Sequence, residues 1–330
     1  VLFSNWTQYD LLKNSFLLKN KIITIRYRLM IEFKNEKIAI PVVLFAGLLW
    51  SFGPLVVRYM DQPGLVPWQY IFARGLTIFT VLNLYLYFEE GKNFYKNYLR
   101  VGVSGLIGGC GLGLAMITFI YSITNTTAAV TLLCLAAMPF FTALLGFLFL
   151  KEKISFNVWI AIGIATIGII IIALGNTEKN SLIGLIFGMT SSIGFSIFSV
   201  TLRWRKETPK FTTVAIAGLF CVIVALIFIA INESVMLASS YNGALFSLHG
   251  TIVCMGLILY SIGSKAIPAA ELTLLSLTEV IGGIFWVWLP LFGINEVPSP
   301  NTIIGGFFLF MSIIYYSLTI KTNRRFIALN

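Results

Sequence analysis

The chain has one histidine, His249, and two aspartates, Asp10 and Asp61, among its 330 residues. A histidine-cluster metal centre is thereby excluded, as are an aspartyl dyad and an aspartate-rich diphosphate site. Charge is also scarce: Asp, Glu, Lys and Arg make up 11% of the chain, against about a quarter in soluble domains. The four cysteines, Cys110, Cys134, Cys221 and Cys254, fall inside apolar stretches without metal-type spacing, so neither a disulfide nor a metal is expected. The glycines from Gly108 to Gly113 lack the preceding strand and the Lys-Ser/Thr pair of a phosphate loop, so no nucleotide cofactor is expected. No lysine lies within an apolar stretch, which removes the attachment point for an intramembrane Schiff base.

What the chain has in quantity is apolar surface: 58% hydrophobic residues and a mean hydropathy of +0.90. No soluble core hides so much. Ten stretches of about twenty residues each are long enough to cross a bilayer as helices. They run from 38 to 59, 67 to 88, 101 to 121, 126 to 150, 157 to 175, 181 to 201, 211 to 231, 243 to 264, 268 to 291 and 301 to 320. The expected fold class is therefore all-α: a multi-pass membrane protein with ten transmembrane helices.

Basic residues fix its orientation. Of the 23 Lys and Arg, 20 fall in the N-terminal tail, the C-terminal tail or alternate loops, Lys179 alone lies in the opposite set, and Arg58 and Arg74 lie inside spans. Basic loops are retained on the cytoplasmic side, so both termini are expected in the cytoplasm of a cell membrane, read here as a bacterial inner membrane. The net charge of +10 then belongs to loops facing anionic headgroups, and nucleic acid is not an expected partner. Residues 1–37 form a basic cytoplasmic tail that is not a signal peptide. Its first Met is Met30, and translation is expected to start there; the alternative is a basic amphipathic segment on the inner leaflet.

The second half of the chain repeats the first. Tyr121-Ser122-Ile123 corresponds to Tyr260-Ser261-Ile262, Ala128-Ala129 to Ala269-Ala270, and Glu152, Ser155 and Asn157 to Glu296, Ser299 and Asn301. This divides the membrane part into five-helix units at 38–175 and 181–320, followed by a cytoplasmic tail at 321–330. An odd number of spans per unit inserts the two copies in opposite orientations. Inverted repeats exchange shapes about a midplane site, the physical basis of alternating access.

The stretch from Thr127-Ala128-Ala129 through Met138-Pro139-Phe140 to Leu150-Lys151-Glu152-Lys153-Ile154-Ser155, with the Gly- and Ile-rich span ending at Gly175, resembles the EamA domain of the drug/metabolite transporter superfamily. The second copy is similar, from Pro268-Ala269-Ala270-Glu271 through Leu277-Thr278-Glu279-Val280 to Glu296-Val297-Pro298-Ser299. The resemblance implies a ten-helix transporter with a central cavity between the halves, and leaves the substrate open. The chain departs from the family pattern in carrying Met138 where the second copy has Glu279, and Val280 where the family often has Pro.

Glu279 lies eleven residues past Pro268, roughly 16 Å deep in a continuous helix and near the bilayer centre. A carboxylate there faces a cavity or a partner. It fits a proton-coupling group, a contact for a cationic substrate, or an ion pair that only fixes packing. Arg74 is its natural counter-charge, or a site for an anionic substrate, or a side chain that snorkels outward or satisfies backbone carbonyls. Arg58, one residue from the end of the first span, is expected to snorkel to the outer headgroups. His249 is a candidate proton relay, or a histidine held in place by a hydrogen bond. Trp50, Trp286 and Trp288 are candidates to line an apolar cavity, and Trp68 and Tyr70 read as an outer interfacial belt. Of the polar residues Ser51, Thr190, Ser191, Ser192 and Ser196, most are expected to bond their own helix. Gly105, Gly109 and Gly113 read as a close-packing face, Pro139 as a kink in the fourth span, and Glu271 as a helix cap.

The expected function is secondary transport, exporting or exchanging a small organic metabolite, with proton coupling if Glu279 carries it. Its partners are then membrane lipids, the metabolite, protons and, in a homodimer, a second copy of the chain. An enzyme is not expected; an intramembrane enzyme acting on a lipid or isoprenoid, or a receptor or scaffold, is the competing reading.

Overall fold

The computed structural model describes residues 36–151, 156–175, 179–205, 207–232 and 239–328, and among them every regular element is helical. Residues 1–35, including Met30, lie outside the described residues, as do Glu152 and Ser155 of the repeat. In lipid no water is available for backbone N–H and C=O groups, so long apolar stretches satisfy them internally as helices.

Fourteen α-helices are described: α1 Glu36–Trp50, α2 Gly53–Arg58, α3 Pro67–Glu90, α4 Lys96–Arg100, α5 Gly102–Asn125, α6 Ala128–Leu135, α7 Met138–Leu150, α8 Phe156–Gly175, α9 Lys179–Trp204, α10 Lys210–Ile231, α11 Ser240–Gly263, α12 Ala269–Leu275, α13 Thr278–Trp288 and α14 Pro300–Ala328. Among the described residues, eight segments are long and apolar enough to cross a membrane, with α1–α2, α6–α7 and α12–α13 each counting once. The other two of the ten expected spans appear as shorter apolar segments, Trp159–Gly175 and Pro300–Tyr315.

Three of these segments are broken rather than continuous. Pro54 and Pro139 stand in the first turns of α2 and α7, so neither supplies the N–H that would carry the helix through, and the breaks fall just before them. The break between α12 and α13 has no proline. There the Ser276 hydroxyl bonds the Thr273 carbonyl and the Thr278 hydroxyl bonds the Leu275 carbonyl, each at 2.8 Å, local bonding that bends a helix.

The α6–α7 break is met from α9. Ser192 Oγ donates to the Cys134 carbonyl at 2.5 Å and Ser196 Oγ to the Met138 carbonyl at 3.0 Å, while Ser191 reaches the Ala115 carbonyl on α5. Three of the five polar residues, Ser51, Thr190 and Ser196, bond carbonyls of their own segment.

The most extensive packing joins α9 to α5, α10 to α3 and α14 to α8, followed by α10 to α5, α11 to α1 and α11 to α3. Gly105, Gly109 and Gly113 lie against α10, where an added Cβ would come within 3.0 Å of Thr213, 2.6 Å of Ile216 and 2.5 Å of Phe220. Leu132, Ile120, Phe198 and Tyr260 fill the centre, while Phe45, Leu106, Ile170, Ile227 and Phe307 project outward. So large an apolar exterior suits lipid rather than water.

Candidate functional site

A cavity of ≈ 60 Å³ lies where α1, α3, α5, α6, α7, α9, α11 and α13 converge. Trp50, Arg74, His249 and Glu279 all line it, with Met138, Ser191 and Phe195. Met138 and Glu279 enter from the first turns of α7 and α13, the half-helices that follow two of the breaks. A helix N-terminus favours negative charge, which suits Glu279 in that turn.

Arg74 is 5% exposed, and its Nε and Nη1 atoms have no hydrogen-bond partner among the described residues. Its guanidinium carbon stands 6.0 Å from the Phe119 ring centroid. Arg74 and Glu279 share the cavity without a direct hydrogen bond or ion pair between them. On α11, Gly250 lets the backbone pass close to α3: a Cβ there would lie 3.2 Å from Arg74 Cα.

His249 is buried; its Nδ1 is hydrogen-bonded to the Tyr70 hydroxyl and its Nε2 faces Gly53 at the start of α2. Tyr70, read from the sequence as an interfacial residue, is 1% exposed and belongs to this interior network. Its spacing of four residues from Arg74 was the available signal, since that spacing puts both on one helix face. Trp50 donates through Nε1 to the Val253 carbonyl at 3.2 Å and packs edge-on to Phe195.

Trp286 does not line the cavity. It stacks on Phe52, with centroids 5.1 Å apart, and donates to Ser51 Oγ at 2.9 Å. Seven residues separate it from Glu279, about 10 Å along a helix, which carries it past the cavity to the α1–α2 break. Trp288 lies farther out, in a separate apolar hollow with Leu133 and Phe307. Glu271 is in the first turn of α12.

Arg58 does not snorkel. Its Nε bonds Glu296 Oε2 at 2.7 Å, Nη1 the Ile123 carbonyl at 3.0 Å and Nη2 the Thr126 carbonyl at 3.2 Å. Glu296 Oε1 accepts from the Ala128 N–H at 2.6 Å. This network ties the end of α2 to the α5–α6 junction and to the segment between α13 and α14. Beside it, Asn242 joins the Asp61 backbone through both amide atoms, at 3.0 Å each. At the other ends of the helices is a larger hollow of ≈ 910 Å³ lined by Arg203, Lys210, Lys265, Ser261 and Ser264.

Residues 37–174 match the model of the EamA-like transporter family. An "Uncharacterized transporter" of Helicobacter pylori strain J99 is 29% identical over 170 residues, covering 49% of this chain and 52% of that protein. The chain thus spans about half the length of the first curated relatives it matches. "Pseudopaline exporter CntI" of Pseudomonas aeruginosa strain PAO1 is 25% identical over 66% of this chain and 75% of its own length. "Uncharacterized transporter YdfC" of Bacillus subtilis strain 168 is 26% identical over 66% of this chain and 72% of its own. A protein of known crystal structure shares the fold, with a TM-score of 0.60 and 16% identity over 86% of this chain and 99% of that one.

Proposed function

We propose, from the match of residues 37–174 to the EamA-like transporter family, that this chain is a secondary membrane transporter working by alternating access. It moves a small organic metabolite outward, or exchanges it, through ten spans arranged as two inverted five-helix repeats. Both termini face the cytoplasm of a bacterial inner membrane. The names of the family and of its relatives point to a transporter rather than an enzyme, and the relative named as a pseudopaline exporter supports the outward direction.

The observation that carries the reading is a cavity at the meeting point of three broken segments, holding two ionisable groups of opposite sign. Broken helices at a repeat interface, with half-helix ends turned to a shared site, are how many carriers bind solute. Packing supports the repeat. Exchanging α1–α2, α3, α5, α6–α7 and α8 with α9, α10, α11, α12–α13 and α14 turns the α9–α5 contact into α1–α11 and the α10–α5 contact into α3–α11, and leaves α3–α10 and α8–α14 unchanged.

In this topology the Arg58–Glu296 network lies on the outer side, and the hollow lined by Arg203, Lys210 and Lys265 lies on the cytoplasmic side. The conformation is then one closed to the outside. Glu279 loads and releases a proton during the cycle. In proteoliposomes under an imposed pH gradient, Glu279→Gln is expected to abolish concentrative transport while preserving exchange. Undiminished proton-driven uptake by that variant ends the coupling role.

A further inference from the structure

We infer that Arg74 is the anchor for a carboxylate on the transported molecule, so that the substrate is a monoanionic carboxylate carrying an apolar body. This rests on the transporter reading and narrows it to a chemical class. A guanidinium has five N–H donors and no acceptor capacity. At Arg74 the three on Nε and Nη1 are buried without a partner among the described residues, in the wall of the central cavity. Phe119 at 6.0 Å offers a ring face, which balances charge but does not accept those hydrogens in line. Glu279 lines the same cavity and is not hydrogen-bonded to them. Buried charged donors left unpaired are strongly unfavourable, and a planar carboxylate, which presents two acceptor oxygens, suits them.

The rest of the lining decides the remainder of the ligand. Leu112, Met116 and Met138 offer no polar side-chain group beyond a weak thioether acceptor, so they face an apolar body. When ionised, Glu279 disfavours a second negative charge on the ligand, which argues against phosphate esters and dicarboxylates. The cavity holds only a few water molecules at ≈ 60 Å³, so the walls must separate to admit a metabolite, as alternating access requires.

The full chain, purified in detergent, is titrated with butyrate, 3-phenylpropionate and 3-phenylpropionamide at millimolar concentrations. Indole fluorescence, to which Trp50 in the cavity wall contributes, and melting temperature are both recorded. At least one carboxylate is expected to bind and raise the melting temperature, the amide to bind at least about tenfold more weakly. Arg74→Gln is expected to lose carboxylate binding while eluting as the same monodisperse species, and Arg74→Lys to retain a weakened preference for the carboxylate over the amide. Equal binding of the acid and amide overturns the inference, as does unchanged carboxylate binding by Arg74→Gln or failure of both carboxylates to bind. Phenyl phosphate binding more tightly than 3-phenylpropionate also overturns it. The outcome is separable from the transport reading: binding without flux in proteoliposomes removes transport and leaves the site, whereas flux of an uncharged solute with no carboxylate binding removes only the site.

Discussion

Two arginines lie within the apolar spans, and they are used in opposite ways. Arg58, at the end of α2, has a partner on each of its three nitrogens: one carboxylate and two carbonyls. Arg74, on α3, is more deeply buried yet has two nitrogens with no partner among the described residues. An intramembrane charge is costly in either place. What separates a fastening from a binding group is whether its donors are already satisfied by the fold.

The contrast is sharpest in Arg74→Gln. Removing a charge two of whose nitrogens the fold leaves unpaired takes away a desolvation penalty, so the variant is expected to melt no lower than the parent. Transport is expected to fall about 100-fold, the equivalent of about 2.7 kcal/mol, within the range for losing a charge-assisted contact. Initial flux in proteoliposomes and melting in detergent measure the two effects separately. A variant that loses stability and transport together would make Arg74 a fastening like Arg58.

Gly256→Ala tests the Trp50 part of the cavity wall. An added Cβ there meets the Trp50 indole, whose Nε1 is held by the Val253 carbonyl. Overpacking against a rigid ring is expected to cost about 2–3 kcal/mol and to alter carboxylate affinity by moving Trp50. Melting and fluorescence titration follow both changes, and an unaltered melting profile would mean that α11 gives way freely.

Much of this arrangement can be read in the sequence because charge is so rare in it. The apolar stretches, the helical class and the singular positions of Arg74 and Glu279 all stand out against lipid-compatible neighbours. The partner of Arg58 does not, because Glu296 is 238 residues away and only folding brings it near. The breaks show unequal signals. Pro54 and Pro139 mark two of them, whereas that before Thr278 depends on hydroxyls that also occur in unbroken helices. Facing direction is the least legible in the sequence: Tyr70 lies inward although an aromatic residue near a span end suggests an interface, and Trp286 lies beyond the cavity because seven residues carry it two turns from Glu279.

Arg58→Ala is expected to separate stability from binding in the reverse sense to Arg74→Gln. Breaking a well-buried ion pair costs about 3–5 kcal/mol, and with Arg58 and Glu296 exposed by 22% and 19% we expect about 2 kcal/mol here. Carboxylate binding should persist, since none of this network lines the cavity. A double-mutant cycle with Glu296→Ala should return a coupling of about 1 kcal/mol. Additive losses would show that the carbonyl contacts, rather than the ion pair, hold α2 to the α5–α6 junction.

The smallest effect expected is at Trp286→Phe. The substitution keeps an aromatic face for stacking on Phe52 and removes the hydrogen bond to Ser51 Oγ. One net hydrogen bond contributes about 0.5–1.5 kcal/mol, and Ser51 Oγ still donates to the Leu48 carbonyl at 2.6 Å, so about 1 kcal/mol or less is expected. Flux and carboxylate affinity should be unchanged, because Trp286 braces the α1–α2 break from outside the cavity. A loss of affinity comparable to that of Arg74→Gln would mean that the break itself sets the cavity's shape, and that satisfied side chains around it contribute to binding as much as unpaired ones.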